Sequence, residues 1–457
     1  MTFSNVTTTD DVYQRIQEVI ELQSKYRLST LYKRQWRERS EKNNDMNIDK
    51  KKKGVNDEKD ENRKSCKGWD GKSSSSTSTF TVAQFNALAE GLSSSSSSPK
   101  MPFPPSSKKF PGGEYGGFTS VPHPETSLNF DLRKWRILEV LLGGGISAMN
   151  CNDDDNKVKN NSGEITNRQH KNPTKLSLKQ QQSPPLPPFD IIAIEEIDHY
   201  HNFFQPILSK FFGYDSFFIP KPSSPSTKLG WYSDGCAIFY KKDMFELVSK
   251  KEGIYNVGTQ VYLILTLRHK ESGQVLVVAA THLKAKNDEM NEKIRTAQAI
   301  QLYEMVSHIA DEVREKAWPI RKKKRGAGDD RSVARNNISA ENVNGLMEGN
   351  GKPVERDNKK NICQSMTPII MMGDFNADPT GEGKTCIKSV NSKPHSSPLL
   401  PRLCSAYPIN SSSMFTTWKT RGANTVKRVI DYIFFHGDLG QAVICRDENF
   451  INGTMVD

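Results

Sequence analysis

The chain has 457 residues, 35% of them hydrophobic, and carries 64 Lys and Arg against 53 Asp and Glu, a net charge of +11. That length holds one large domain with appendages, and so low an apolar share implies that part of the chain stays outside any packed core. No apolar run approaches the roughly 20 residues of a membrane span, and the early Asp10 and Asp11 argue against a secretory signal, so no membrane is expected.

Residues 1–77 read as a polar leader, largely disordered, with apolar side chains at helical spacing between Val12 and Trp36 (Val12, Ile16, Val19, Ile20, Leu22). The first strand is predicted over Phe80–Phe85, and a Ser/Pro/Gly-rich insertion at about 93–124 separates it from the next element. Leu132–Leu142 reads as a short helix, and 143–188 as a polar insertion. Asp190–Ile194 reads as a buried strand and Asp198–Phe212 as an amphipathic helix. Further strands are predicted at Gly235–Tyr240, Val261–Leu267 and Val275–Ala280, the last two joined by the hairpin residues Glu271-Ser272-Gly273. Met290–Glu315 reads as a long helix and 319–362 as a third insertion, with 11 Lys and Arg against 6 Asp and Glu. Nearly half of the net charge therefore sits in one loop-like segment, which weakens it as a sign of a nucleic-acid surface. Strands close the order at Phe415–Trp418 and Val429–Phe435. Strands outnumber helices and hairpins occur, which points to an α/β sandwich with antiparallel pairing rather than a strict βαβ repeat. Seven scattered cysteines without a CxxC pair read as free thiols in a reducing, intracellular compartment. The cytoplasm fits this, with nucleus and mitochondrion left open.

The strand Pro368-Ile369-Ile370-Met371-Met372 runs into Gly373-Asp374-Phe375-Asn376. Residues i and i+2 of a strand share a face, so Asp374 and Asn376 are expected to reach one site, with a charged oxygen and an amide. That pair suits a hard metal ion, a phosphate and an attacking water; alone it reads equally well as an Asx-capped turn. Four other strands carry polar groups at their ends: Gln84-Phe85-Asn86, Ile194-Glu195-Glu196, Thr281-His282-Leu283-Lys284 and, opening its strand, Asp431.

This set resembles the exonuclease–endonuclease–phosphatase superfamily, and within it the nocturnin and carbon-catabolite-repressor-type deadenylase branches. The match is carried by Gln84-Phe85-Asn86-Ala87-Leu88-Ala89, Glu195-Glu196-Ile197-Asp198-His199-Tyr200, Phe218-Ile219-Pro220-Lys221-Pro222, Ser233-Asp234-Gly235-Cys236-Ala237, Thr281-His282-Leu283-Lys284-Ala285-Lys286, Gly373-Asp374-Phe375-Asn376 and Thr416-Thr417-Trp418-Lys419-Thr420-Arg421. The resemblance implies a four-layer α/β sandwich of two packed mixed sheets flanked by helices, over 78–457, with the site between the sheets. It implies Mg²⁺ as cofactor, with Glu196 as metal ligand and Asn86 supporting metal and phosphate. It assigns Asp374 to the attacking water, Asn376 to a phosphate oxygen, His282 to the phosphate, and Asp431 to support of a histidine. Glu195, where the family usually has Gln, is expected to point elsewhere, because adjacent strand residues face opposite ways. Lys221, Lys284 and Arg421 match the positions that cradle substrate phosphate, and Lys286 stands where Arg is usual. Arg295 and Gln298, one turn apart, match a pattern on the helix after Thr281-His282-Leu283 and could brace the site.

The family closes on a Ser-Asp-His motif on a final strand. No Asp-His pair follows Asp431 before Asp457, so that strand is expected to be missing through truncation. The resemblance implies two candidate substrates: the 2′-phosphate of NADP(H), and the 3′ end of poly(A) RNA. The competing reading is a catalytically impaired RNA-binding scaffold, using the basic run Arg321-Lys322-Lys323-Lys324-Arg325. Oligomeric state is not legible.

Overall fold

The computed structural model describes residues 6–24, 79–94, 114–121, 123–143, 188–224, 226–227, 232–317, 366–380, 384–391, 403–406, 415–421 and 424–436. The helix α1 (Thr9–Ser24) comes first, followed by β1 (Val82–Asn86), α2 (Glu90–Ser93), α3 (Pro124–Ser127) and α4 (Phe130–Leu141). Next are β2 (Ile191–Ile197), α5 (Gln205–Phe212), β3 (Tyr214–Pro220), β4 (Gly235–Lys241), β5 (Phe245–Ile254), β6 (Val261–His269) and β7 (Val275–His282). The order ends with α6 (Glu289–Ala317), β8 (Ile369–Asp374), α7 (Lys384–Asn391), β9 (Cys404–Ser405), β10 (Thr417–Arg421), β11 (Asn424–Arg428) and β12 (Asp431–His436). The insertions at 143–188 and 319–362, and the basic run within the second, lie almost wholly outside the described residues.

The strands form two mixed sheets, of order β1-β2-β4-β3 and β5-β6-β7-β8-β12-β9, with β10 and β11 as a separate ribbon. Within them β1–β2 and β7–β8 run parallel and the remaining pairs antiparallel. Side-chain alternation explains how the layers stack. In β2, Ile191 and Ala193 join a core between the two sheets, whereas Ile192 and Ile194 join the core under the outer helices. In β8, Ile370 and Met372 face the sheet interface, and Ile369 and Met371 pack under α6 and α7. Three apolar cores between four layers give the helix–sheet–sheet–helix sandwich expected from the sequence.

The leader helix is part of this packing. Val12, Ile16, Val19 and Ile20 form one apolar face and enter the same core as α4 and α5, with Tyr13 edge-on to Phe212 at 5.8 Å. Its start is closed reciprocally: the Asp11 N–H donates to Thr8 Oγ1 at 3.1 Å, and Asp11 Oδ2 accepts the Thr8 N–H at 2.8 Å. The expected extent to Trp36 runs past Ser24 into residues outside the described ones. Two long strands escaped the sequence reading, β3 and β5, which are the outermost strands of their sheets. No helix among the described residues is long and apolar enough to cross a membrane.

Candidate functional site

Strand register brings the polar ends together. In the second sheet His282 pairs with Asp374 across the parallel β7–β8 ladder, and Asp374 pairs with Asp431 across β8–β12. Three polar side chains from three neighbouring strands thus share one rung. In the first sheet Asn86 pairs with Glu195. The two rungs face each other through the sheet interface: Asn86 Nδ2 donates to Asp374 Oδ2 at 3.0 Å, and Gln84 Nε2 donates to Glu195 Oε2 at 2.6 Å and to Asp431 Oδ1 at 3.1 Å.

The structure corrects the expectation that Glu195 points away. Alternation places Glu195 on the same inward face as Ala193, and its side chain is wholly buried beside Gln84. The residue out of phase is Glu196. A register shift between Glu195 and Ile197 accompanies a left-handed Glu196 backbone (φ 52°), a β-bulge that lets Ile197 return to the outer core. The bulge swings the Glu196 carboxylate into the site, with Oε1 3.7 Å from His282 Nδ1. Burial holds the Glu195 carboxyl well above the usual carboxylate range, and the nearby Asp431 and Asp374 push the same way against the Gln84 hydrogen bond. The protonated form of Glu195 is thereby favoured, and a carboxylic acid beside the Gln84 amide can donate as well as accept.

Asp374 and Asn376 meet in the site, but a turn and not a continuing strand joins them. The Asn376 backbone is left-handed (φ 49°), and its N–H donates to Asp374 Oδ1 at 2.8 Å, which is the Asx turn. Asn376 Nδ2 reaches His282 Nε2 at 2.9 Å and the Leu283 carbonyl at 3.2 Å. A carbonyl only accepts, so this nitrogen is the donor and His282 Nε2 the acceptor; the proton of the neutral ring sits on Nδ1, towards Glu196. Asp431 also accepts from Thr416 Oγ1 at 2.9 Å, and Thr416 Oγ1 in turn accepts the Ile430 and Asp431 N–H groups, both at 3.0 Å.

The loops that leave these strands are held from outside the sandwich. Arg133 of α4 is buried and donates to the Ala87 and Leu88 carbonyls, the latter at 2.6 Å. It thereby fixes the left-handed turn at Leu88 (φ 46°), whose N–H caps Asn86 Oδ1 at 2.9 Å. Asp198 lies behind this turn; burial pushes its carboxyl up to about 7. His199 Nε2 pairs with Glu90 Oε2 at 2.7 Å. Burial alone would lower the His199 pKa, but the Glu90 hydrogen bond and the Asp198 charge outweigh it and raise the value. None of these three groups was singled out as a site residue from sequence.

Of the expected phosphate-binding cations, Lys221 is mostly buried and its Nζ bonds Asp234 Oδ2. Burial disfavours its charge, but Asp234 and then Glu196 outweigh that and keep the ammonium charged. Lys284 is half-buried and Lys286 exposed on the loop after His282. Arg421 ends β10, and its side chain lies outside the described residues. Among the described residues no three His, Cys, Asp or Glu side chains converge as a metal-ligating group. The Glu196 carboxylate, 3.7 Å from His282 Nδ1, is a donor that suits Mg²⁺, which takes one or two protein carboxylates and completes its shell with water and substrate phosphate.

Residues 166–450 match the model of the Endonuclease/Exonuclease/phosphatase family. Nocturnin of Mus musculus is 30% identical over 258 residues, covering 54% of this chain and 45% of that protein, and nocturnin of Xenopus laevis is 31% identical, covering 54% and 50%. The CCR4-Not complex 3′-5′-exoribonuclease subunit Ccr4 of Candida albicans is 31% identical over 118 residues, 21% of this chain and 15% of that protein. Among solved structures, the human nocturnin catalytic domain with bound sulfate anion is 27% identical, covering 54% of this chain and 69% of that one, with a TM-score of 0.36. The chain spans about half the length of the nocturnins it matches.

Proposed function

Because the chain belongs to the endonuclease/exonuclease/phosphatase family, we propose that it hydrolyses phosphoesters, with the paired rungs as its active site. The observation that supports this most is the alignment of His282, Asp374 and Asp431 on one rung, facing Asn86 across the sheet interface. Asp374 takes the proton of the attacking water. The Asn86 amide and the Asn376 N–H hold its two oxygens, so the carboxylate is oriented before substrate arrives. His282 lines the phosphate site, and the Asn376 amide, donating to Nε2, keeps the ring proton on Nδ1 beside Glu196. Asp431 fixes the Gln84 amide, which also holds Glu195. Glu196 would hold Mg²⁺. The cation would neutralise phosphate charge and lower the pKa of bound water.

The substrate we propose is the 2′-phosphate of NADP(H), because Lys284 follows His282 by two residues and the Lys221 ammonium feels the charge of Glu196. The 3′ end of poly(A) RNA is the alternative, and similarity to Ccr4 over 118 residues favours it. Phosphate release from NADPH without shortening of an oligoadenylate supports the first substrate, and the converse supports the second. Asp374→Ala abolishes either activity on this reading. Turnover unchanged by that substitution sinks the assignment, and Mg²⁺-independent RNA binding that survives it while requiring Arg321–Arg325 identifies a scaffold instead.

A further inference from the structure

The loop after His282 carries Lys284 and Lys286 and is built with irregular backbone; Lys286 itself is left-handed at φ 82°. Such a segment cannot supply its own hydrogen bonds, so something must take its N–H and C=O groups. Two residues of α6 do so, Arg295 and Gln298, with Glu292 one turn before them holding the arginine. Arg295 is wholly buried, and its Nη1 donates to the Lys284 carbonyl at 3.1 Å and to the Lys286 carbonyl. Gln298, equally buried, accepts the Lys284 N–H on Oε1 at 3.0 Å. The same amide donates through Nε2 to the Val257 carbonyl at 2.8 Å and to Gln260 Oε1 at 2.9 Å. Glu292 holds the guanidinium, with Oε2 3.0 Å from Nε and 2.9 Å from Nη2. Its other oxygen accepts the Cys386 N–H of α7 at 2.8 Å.

Both backbone groups of Lys284 are therefore fixed from α6, and the Lys286 carbonyl with them. A planar guanidinium offers rigidly spaced donors, so it holds two carbonyls at a set separation in a way that a lysine does not. We propose that Arg295 and Gln298 are positioning residues for phosphate recognition, setting the Lys284–Lys286 backbone so that the two ammonium groups face the anionic part of the substrate. The inference rests on the phosphoesterase reading for its functional meaning, but it is tested without turnover.

Two variants divide the roles of Gln298. Gln298→Met removes the acceptor for the Lys284 N–H, whereas Gln260→Met leaves that acceptor in place and removes only one of the two partners of Gln298 Nε2. Binding of inorganic phosphate is measured by calorimetry, and exchange of the Lys284 amide by hydrogen exchange. Gln298→Met is expected to weaken phosphate binding ~5–10-fold, as for one lost orienting hydrogen bond, and to speed exchange of the Lys284 amide; Gln260→Met stays within about twofold of the parent. Lys284→Met alone and combined with Gln298→Met should bind phosphate equally weakly, because Gln298 holds the loop only at Lys284 and so acts through that ammonium group. If Gln298→Met folds poorly, Arg295→Lys serves in its place, with the same loss of phosphate binding expected. Phosphate binding unchanged in Gln298→Met and Arg295→Lys, additive losses in the double variant, Gln260→Met as weak as Gln298→Met, or no phosphate binding by the parent each overturn the proposal. Failure of the phosphoesterase reading appears separately, as turnover that Asp374→Ala leaves intact.

Discussion

Gly373 is where the sequence of β8 and the geometry of the site meet most tightly. Its backbone has φ +152°, a region that L side chains rarely adopt, and it pairs with Thr281 in the parallel ladder one rung from His282 and Asp374. A Cβ added there would sit 2.9 Å from the Thr281 carbonyl carbon and closer still to its oxygen. That neighbour is backbone at the centre of a six-stranded sheet, so relief requires β7 and β8 to part. The backbone conformation costs an alanine ~1–3 kcal/mol and the steric conflict another ~1–3 kcal/mol. For a domain of this size that predicts a melting temperature about 5–20 °C below the parent. A displacement of about 1 Å between the strands carrying His282 and Asp374 also predicts turnover down by roughly 10²-fold.

Gly213→Ala is the control. Gly213 closes α5 with φ +71°, and nothing lies within 4 Å of a Cβ placed there. It carries the backbone cost alone, ~1 kcal/mol and a few degrees, with no effect on turnover. Thermal melts of the three proteins, with phosphate release from NADPH and AMP release from oligoadenylate, distinguish the two costs. A Gly373→Ala protein that melts within about 1 °C of the parent, or that loses stability no more than Gly213→Ala does, refutes the claim that close approach of β7 and β8 holds the site together.

Arg133→Met strands the Ala87 and Leu88 carbonyls in a buried turn, so urea unfolding should show a loss of about 3–5 kcal/mol; a loss under ~1 kcal/mol would mean that the turn stands without its guanidinium. Glu196→Ala is expected to raise the Mg²⁺ concentration for half-maximal turnover by at least ~10-fold, and an unchanged Mg²⁺ dependence removes Glu196 from the metal site. The raised His199 pKa makes its pair with Glu90 a source of stability that is full below the unfolded value of roughly 6.5 and is lost as pH rises through the folded one. The melting-temperature gap between parent and His199→Gln should therefore shrink steadily from pH 6 to pH 9, and a gap that is flat or widens contradicts the assigned pairing.

Central strands were legible because both of their faces are buried: runs such as Ile191–Ile194 and Val275–Ala280 have no competing reading at that length. The strands that escaped are edges. β5 exposes most of its length, including Lys250, Lys251 and Glu252, so nothing in its pattern separates it from a solvated loop. β3 is largely half-buried, and its apolar run, Phe217–Ile219, stops at Pro220 before reaching strand length. α7 buries only Cys386, Ile387 and Val390, one turn too few for a helical period to emerge. Strand periodicity brought Asp374 to its rung but misdirected Glu195, which shares the site with Glu196 because of the bulge. Two adjacent glutamates carry no signal for which one occupies a left-handed bulge, a conformation usually announced by Gly or Asn.

The arginines explain why the site can be irregular at all. A strand that stops at a buried sheet edge leaves carbonyls that no neighbouring strand takes, and each one left unmet costs about 1–3 kcal/mol. Here the loop after β1 and the loop after β7 both turn through left-handed residues, Leu88 and Lys286, within a few residues of the candidate catalytic groups Asn86 and His282. One buried guanidinium from each outer helical layer, Arg133 of α4 and Arg295 of α6, takes two successive or near-successive carbonyls in each loop. Each helix also packs on its own sheet, so the loops are referenced to the rigid outer layers and not to one another. Asn86 on one side and the His282–Lys286 segment on the other can then meet across the sheet interface at a separation set by the stacking of the two sheets. A substitution in either arginine should for this reason disturb its own half of the site first, Arg133 the Asn86–Asp374 contact and Arg295 the cationic loop. Crystal structures of the two variants in which each left the other half unmoved would bear this out; both halves shifting in either variant would show that the loops support one another directly.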